Sequence, residues 1–341
     1  YEREGHIVKI AYGRSGYVPN EYKKYAVRIG NDLDVKFHAL STRIFDNHGL
    51  ESKSATKNFL MWADKYNPDL LWLHNLHGYY INIELLFEWI KKRPQMQVKW
   101  TLHDCWSFTG HCACFSFINC NKWKSQCCNC EQKKQYPKSL CLDNSYNNYV
   151  TKRRIFTGVK NLEIITPSNW LADLVKQSFL KRYPVKVVYN KIDTDIFKVT
   201  KSDFREKLNL INKKLILGVA NIWDERKGLN DFIKLSKIID NNYKIVLVGL
   251  NKKQIIKLPD NIIKIEKTNN QKELAEIYTA CDVFFNPTYE DNYPTVNLEA
   301  QACGTPVITY DTGGCKETLK LRNSYCIKQD IYEMLKVLKE I

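Results

Sequence analysis

The chain has 341 residues, 44% of them hydrophobic and 12% aromatic, and 52 basic against 37 acidic side chains give a formal net charge of +15. That is material for two packed cores, and no apolar run approaches the ~20 residues of a membrane-spanning helix. The basic residues are scattered and form no nucleic-acid-binding motif, and diphosphate donors and lipid-linked acceptors on anionic membranes account for the charge at least as well as nucleic acid does.

The chain opens with YEREG, which reads as a helix end stopped by Gly5, and continues into a strand, HIVKIAYG. Further strands are predicted at DVKFHAL from Asp34, DLLWLHN from Asp69, VKWTLHD from Val98, LEIITPS from Leu162 and VKVVYN from Val185. Helical patterns lie between them, SATKNFLMWADKYN from Ser54 and WLADLVKQSFL from Trp170 among them. After Asn190 the phrase KIDTDIFK forms a linker. A second alternating set follows: KLILGVAN, YKIVLVG, NIIKIEKT, DVFFNP, TPVITYD and SYCIK. This order predicts an α/β fold of two Rossmann-like, doubly wound domains, residues 1–190 and 191–341, with ligands in the cleft between them. No strand-linked G-x-G-x-x-G is present, which argues against a dehydrogenase. No secretion signal is visible, so the chain reads as cytoplasmic.

The stretch from Pro287 to Glu317 carries the most chemistry. An apolar run ends in an acidic, Asn-rich loop. Pro294 then opens a helix with Glu299 near its middle, Cys303 and Gly304 close it, and TPVITYD runs into Gly313–Gly314. Pro at the start and Gly past the end are the expected punctuation. Glu290 or Asp291, and then Glu299, flank a helix start whose first N–H groups hold an anion. Carboxylates for sugar hydroxyls beside a phosphate-binding helix end make a nucleotide-sugar site.

Arg226 and Lys227 stand at a second loop–helix junction, GVANIWDERKGLNDF, and two cations there suit a diphosphate. His74, His77, His103 and Asp104 fall at the carboxyl ends of predicted strands, where open α/β sheets bind ligands. Eight of the 12 cysteines crowd into residues 105–141. Cys112, Cys120, Cys127 and Cys130 have the spacing C-x7-C-x6-C-x2-C, which suits a structural zinc with Cys114, Cys128, His103 and His111 as alternates. The other reading is a reduced, metal-free insertion.

The Pro287–Glu317 stretch resembles the acidic signature of retaining glycosyltransferases of family 4, which have the GT-B fold. In that family two Glu residues stand eight positions apart. Asp291 to Glu299 has that spacing and Glu290 to Glu299 is one longer, so either residue fills the first place. The resemblance implies that this first carboxylate contacts the donor sugar and that Glu299 holds the ribose hydroxyls. Asn292, Pro294, Thr295 and Val296 would complete the donor site around the helix start. Lys227–Gly228 match a Lys–Gly pair that neutralises the leaving diphosphate. The family's Arg lies five residues before that Lys, where this chain has Ile222, leaving Arg226 as the substitute. His103 is the candidate for a sugar-contacting His. Lys191 stands where members commonly have Gly.

The run WTLHDCW, FTGHC and the following C-x2-C are similar to a colanic-acid-type exopolysaccharide subgroup, and the resemblance covers essentially the whole chain. The family has a first strand and glycine-rich loop ahead of this start, so an incomplete first domain with weak activity is expected. The function implied is transfer, with retention, of a sugar from a UDP- or GDP-sugar to a surface-polysaccharide or lipid-linked oligosaccharide acceptor. Catalysis would use no metal, and peripheral contact with an anionic membrane is expected. The alternative is a non-catalytic remnant that binds nucleotide or carbohydrate. A zinc-dependent nucleic-acid binder is a third reading.

Overall fold

The computed structural model describes residues 1–14 and 18–340. The chain divides into two units, one of Tyr1–Pro167 with Leu171–Val188, the other of Ser168–Trp170 with Tyr189–Ile341. No helix among the described residues is long and apolar enough to cross a membrane.

The first unit begins with a 3-10 turn, Glu2–Glu4, ended by Gly5 at φ 86°. A short parallel pair follows, β1 (Ile10–Tyr12) with β2 (Ala26–Arg28). The expected strand from Asp34 is instead helix α1 (Asp32–Phe45). Two local features decide this. The Asn31 side chain accepts from the N–H groups of Leu33 and Asp34 while the Asp34 carboxylate accepts from the Asn31 N–H, a reciprocal capping box. Leu33, Phe37, Leu40 and Ile44 also fall at helical spacing. The helix buries His38, Ser41 and Thr42, so its polar side faces inward, and a reading that seeks an apolar inner face misses it.

Then come α2 (Lys53–Tyr66), β3 (Leu70–His74), α3 (Ile83–Lys91), β4 (Gln97–Thr101), α4 (Ser145–Phe156), β5 (Leu162–Thr166), α5 (Asn169–Gln177) and β6 (Val185–Val187). The strands β3-β4-β5-β6 form one parallel sheet in sequential order. Its core includes Phe87, Trp100 and Phe156, whose ring centroids lie 4.7 to 5.4 Å apart.

Between β4 and α4 the Cys-rich stretch contains only three short 3-10 turns. It holds its shape by a small core of its own, Phe108, Phe115 and Trp123, all buried. Two buried charges fasten it to the helices on either side, Lys152 on α4 and Asp46 at the end of α1. The Lys152 ammonium donates to the carbonyls of Trp106 at 2.8 Å and Thr109 at 3.1 Å and lies 3.7 Å over the Trp106 ring. Burial pulls Lys152 down to about 7. Asp46 ends α1 at φ 53°, meets His111 Nδ1 at 2.5 Å and accepts from the Asn144 N–H at 2.8 Å.

The second unit contains α6 (Phe204–Lys207), β7 (Lys214–Val219), α7 (Leu229–Ile238), β8 (Tyr243–Val248), α8 (Lys252–Lys257), β9 (Ile262–Ile265), α9 (Gln271–Ala280), β10 (Val283–Asn286), α10 (Thr295–Ala302), β11 (Val307–Tyr310), β12 (Tyr325–Ile327) and α11 (Ile331–Leu338). Its sheet is wholly parallel, in the order β12-β11-β10-β7-β8-β9. Alternate side chains feed two cores, Ile216 and Ile245 on one face, Leu215, Leu217 and Val246 on the other. The order reverses between β7 and β10, which pair Val283 with Ile216 and Phe284 with Leu217. At such a switch point the loops leaving the two strands diverge to opposite faces and open a crevice at their carboxyl ends. Those two loops carry Arg226–Lys227 and Glu290–Asp291. Lys191 does not take positive φ, so the turn after Asn190 needs no glycine.

Candidate functional site

The site is assembled where β7 and β10 part. The loop after β7 ends at Gly228, the residue before α7, at φ 73°. A Cβ on Gly228 would lie 2.2 Å from the Pro287 carbonyl oxygen. Glycine therefore lets this loop press on the end of β10. Hydrogen bonds then lace the loops together. The Tyr289 N–H and the Thr288 hydroxyl donate to the Arg226 carbonyl at 2.7 and 3.2 Å. Arg226 Nη1 donates to the Glu290 carbonyl at 2.7 Å.

The two candidate cations therefore do different work. Arg226 spends a guanidinium donor on the backbone of the acidic loop and holds its shape. Lys227 pairs its ammonium with the Asp291 carboxylate, both side chains about one-fifth exposed. Its own N–H is fixed by Asp224 Oδ1 at 2.9 Å. The two candidate carboxylates separate in the same way. Glu290 is buried, whereas Asp291 is partly open and faces Lys227. Ile222, where the resembled family has its Arg, is 71% exposed.

The acidic loop is backed by the glycine turn after β11. Gly313 takes φ 55°, and a Cβ there would lie 1.8 Å from the Asp291 carbonyl oxygen. A Cβ on Gly314 would lie 1.9 Å from that of Asn292. The Gly314 N–H donates to the Asp291 carbonyl at 3.0 Å. The Asn292 side chain accepts from the Ser168 hydroxyl at 2.5 Å.

Pro294 precedes the first turn of α10, and no side chain caps that end. Thr295 and Val296 form the first turn, partly exposed. The helix is pinned from behind. Asn297 accepts from Asn286 Nδ2 and donates to the Thr318 hydroxyl, both at 2.9 Å, and Gln301 Nε2 donates to the carbonyls of Asn297 and Thr318. Glu299 lies one turn in. Its Oε2 accepts from the buried Tyr278 hydroxyl at 3.2 Å. Burial pushes its carboxyl upward, and the hydroxyls of Tyr278 and Thr295 pull the other way. Cys303 and Gly304, the latter at φ 84°, close the helix.

Several structural partners carry no local sequence pattern. Asp231 is buried on α7 and accepts from the hydroxyls of Tyr289 at 2.7 Å and Tyr310 at 3.2 Å. Tyr278, Asn297 and Gln301 read as ordinary helix residues, and only the long-range fold reveals what they hold.

His103 lies two residues past the end of β4 in the first unit. Its Nε2 lies 3.1 Å from His74 Nδ1, with the rings stacked 5.4 Å apart. Burial lowers both imidazoles. His77 Nε2 meets the Asp104 carboxylate at 3.0 Å, and its Nδ1 lies 2.9 Å from the Tyr136 hydroxyl.

Cys112, Cys120, Cys127 and Cys130 line one cavity, together with His111 and Cys128. The Cys112 and Cys130 thiols hydrogen-bond each other. That bond pulls Cys130 down to about 7, while burial pushes Cys127 up to about 12. No group of three or more His, Cys, Asp or Glu side chains among the described residues is arranged to hold a metal ion.

Residues 200–337 match the family model for glycosyl transferases group 1. The matched stretch is about two fifths of the chain. It contains every loop and helix of the β7–β10 site. Over 279 residues the chain is 24% identical to WcaC of Escherichia coli K12, a protein provisionally named a colanic acid biosynthesis glycosyl transferase, covering 77% of this chain and 65% of that relative. Over 166 residues it is 30% identical to the processive diacylglycerol alpha-glucosyltransferase of Acholeplasma laidlawii, covering 45% of this chain and 49% of that one. The chain thus spans less than two thirds of the length of either curated relative. Among solved structures, Anabaena Alr3699/HepE in complex with UDP matches 98% of this chain and 90% of its own at TM-score 0.63 and 15% identity. That likeness shows the fold, GT-B, an α/β architecture with parallel sheets.

Proposed function

We propose that the protein is a retaining glycosyltransferase that moves a hexosyl group from a UDP-sugar to a glycan or lipid-linked acceptor. The observation that carries this reading is the Lys227–Asp291 pair at the switch point of a group 1 transferase domain, beside a helix start with no side-chain cap. A donor diphosphate exchanges with Asp291 for the Lys227 ammonium and takes the first N–H groups of α10. Released from Lys227, Asp291 accepts hydrogen bonds from the donor sugar. Glu299 accepts from the ribose hydroxyls in place of its Tyr278 bond. Arg226 and Glu290 act on the loop rather than on the ligand. The charge that grows on the diphosphate as the sugar leaves is met by Lys227 and the helix dipole, so no catalytic metal is needed. His103, backed by His74, is assigned to a sugar hydroxyl.

UDP is preferred over GDP because the fold likeness includes a protein solved with UDP. The acceptor class follows the names of the relatives, one in colanic acid synthesis and one acting on diacylglycerol. Retention follows from the resemblance to family 4, and the alpha linkage in the second name favours it.

Glu299→Gln tests the site with little change of shape. A carboxylate on two hydroxyls is worth about 1.5–3 kcal/mol as charge-assisted hydrogen bonds. UDP should therefore bind at least about tenfold more weakly in calorimetry, with the melting temperature nearly unchanged. Affinity equal to the parent's removes Glu299 from the nucleotide site. Release of UDP and labelled sugar transfer separate this reading from a nucleotide-binding remnant.

The shared cavity supports a structural zinc held by Cys112, Cys120, Cys127 and Cys130 once their thiols close around it. Metal analysis should find about one zinc per chain, and its removal should loosen residues 105–141 while leaving the transferase domain folded. Metal-free protein with all these thiols freely titratable would overturn the zinc.

A further inference from the structure

Helix α2 carries a row of aromatic rings along one side. Phe59, Trp62 and Tyr66 fall at i, i+3 and i+7. Their rings stack in turn, Phe59 on Trp62 with centroids 5.8 Å and planes 23° apart, and Trp62 on Tyr66 at 5.2 Å and 10°. The Tyr66 hydroxyl donates to the Ile7 carbonyl at 2.7 Å and fixes the far end of the row. All three side chains stay partly exposed, so the row is held in shape without being sealed into the core.

Phe59 and Trp62 line a groove of about 480 Å³, within the ~300–1,000 Å³ of small-ligand sites. Gly30, two residues past β2, shapes it. It takes φ 66°, and a Cβ there would lie 2.7 Å from Asp34 Oδ2 and 2.9 Å from the Ala55 Cβ. Glycine therefore lets the first turns of α1 and α2 close on the end of β2. The exposed side chains of Ser54 and Asn58 add a hydroxyl and an amide to the lining. Among the described residues its only charged linings are Arg28 and Asp34, of opposite sign. Both are already engaged, Arg28 with Asp32 and Asp34 in the capping box.

We propose that this groove in the first unit binds a neutral pyranose glycan. A pyranose has a face of C–H groups, which the negative face of an aromatic ring attracts, and a rim of hydroxyls that both donate and accept. The Asn58 amide and the Ser54 hydroxyl also do both. Charge balance decides against an anionic ligand, since the one lining cation already faces a carboxylate. The amide and hydroxyl decide against an alkyl chain, which would leave them unpaired. The fixed row means that little ordering is needed on binding. The inference rests on the acceptor being a glycan.

An array of immobilised oligosaccharides, neutral hexose tetramers beside uronic acid tetramers, tests it with the full chain. Retention is expected on neutral members and should change little with salt. Trp62→Ala should lower retention about tenfold or more, and Asn58→Ala about fivefold. Trp62→Phe keeps a ring and should keep part of the binding. UDP affinity in calorimetry should equal the parent's in all three variants, which separates this groove from the nucleotide site. Asn58 is exposed, so its variant should keep the parental circular dichroism and decides the matter by itself if Trp62→Ala proves unstable. No retention on any neutral member, retention on the uronic acids only, or variants retained as the parent is would overturn the proposal and leave the aromatic row as packing. Parent protein that binds the array but transfers no sugar would overturn the transfer reaction instead and leave the groove standing.

Discussion

Lys227→Ala should lower kcat for sugar transfer by about 100-fold or more and raise the donor KM only modestly. The diphosphate gains charge as the bond to the sugar breaks, so a cation aimed at it acts mainly on the transition state. Removal does two things here. It deletes the ammonium, and it leaves Asp291 without its partner next to an anionic ligand. The second effect falls on binding and the first on turnover, so Lys227→Ala with Asp291→Asn should recover affinity without recovering kcat. Lys227→Arg should keep part of the rate, because charge survives while position shifts. A variant with parental kcat and a higher KM would reduce Lys227 to a ground-state contact. Arg226→Ala should look different. Its guanidinium holds the Glu290 carbonyl rather than facing the loop opening, so its loss should lower the melting temperature and weaken UDP binding together.

Most strands of both sheets were legible because parallel strands buried on both faces read as continuous apolar runs such as KLILGV and DVFFN. The α10 region was legible for a different reason: Pro294 and Gly304 mark helix ends by fixed φ or by tolerance of positive φ, which is local chemistry. Helix α1 was misread because the usual inference assumes the apolar side faces the core. Here the inward side is His38, Ser41 and Thr42, held by hydrogen bonds such as His38 Nδ1 to Ser52 at 2.9 Å, and the stripe of leucine and phenylalanine faces out.

The candidate site residues were legible as types but not in the contacts they make. Nothing in DERKG distinguishes a lysine that pairs with a carboxylate from an arginine that holds a carbonyl, because the distinction is made by Glu290 and Asp291, 64 residues away. Spacing alone does not distinguish those two acids either; in the fold Glu290 is buried and Asp291 pairs with Lys227. Asp231, Tyr278 and Gln301 carry no pattern, since each is defined by a partner from another element. The anchors of the Cys-rich segment, Lys152 and Asp46, were hidden because a buried charge is not expected from sequence and is tolerated only where carbonyls, N–H groups or a ring surround it.

Gly313→Ala should cost both stability and UDP affinity. The added carbon would sit 1.8 Å from the Asp291 carbonyl oxygen, a backbone atom that cannot rotate aside, and Gly313 already has φ 55°. Either the glycine turn or the acidic loop must move by more than an ångström. Both moves break the Gly314 N–H bond to the Asp291 carbonyl and draw Asp291 off Lys227. A stability loss of about 2–4 kcal/mol is expected from the strain and the lost bond. UDP affinity should fall by about 100-fold, since misplacing a positioning group by an ångström has that scale of effect. Gly304→Ala is the matched control in the same unit. It too has positive φ, at 84°, but its nearest neighbour is a Val199 methyl at 3.0 Å, which can yield. It should cost about 1–2 kcal/mol from the left-handed backbone alone and keep UDP affinity. If calorimetry found the two variants alike in UDP affinity, close packing of the glycine turn would not be what positions the acidic loop, and Lys227–Asp291 would owe its geometry to Arg226 alone.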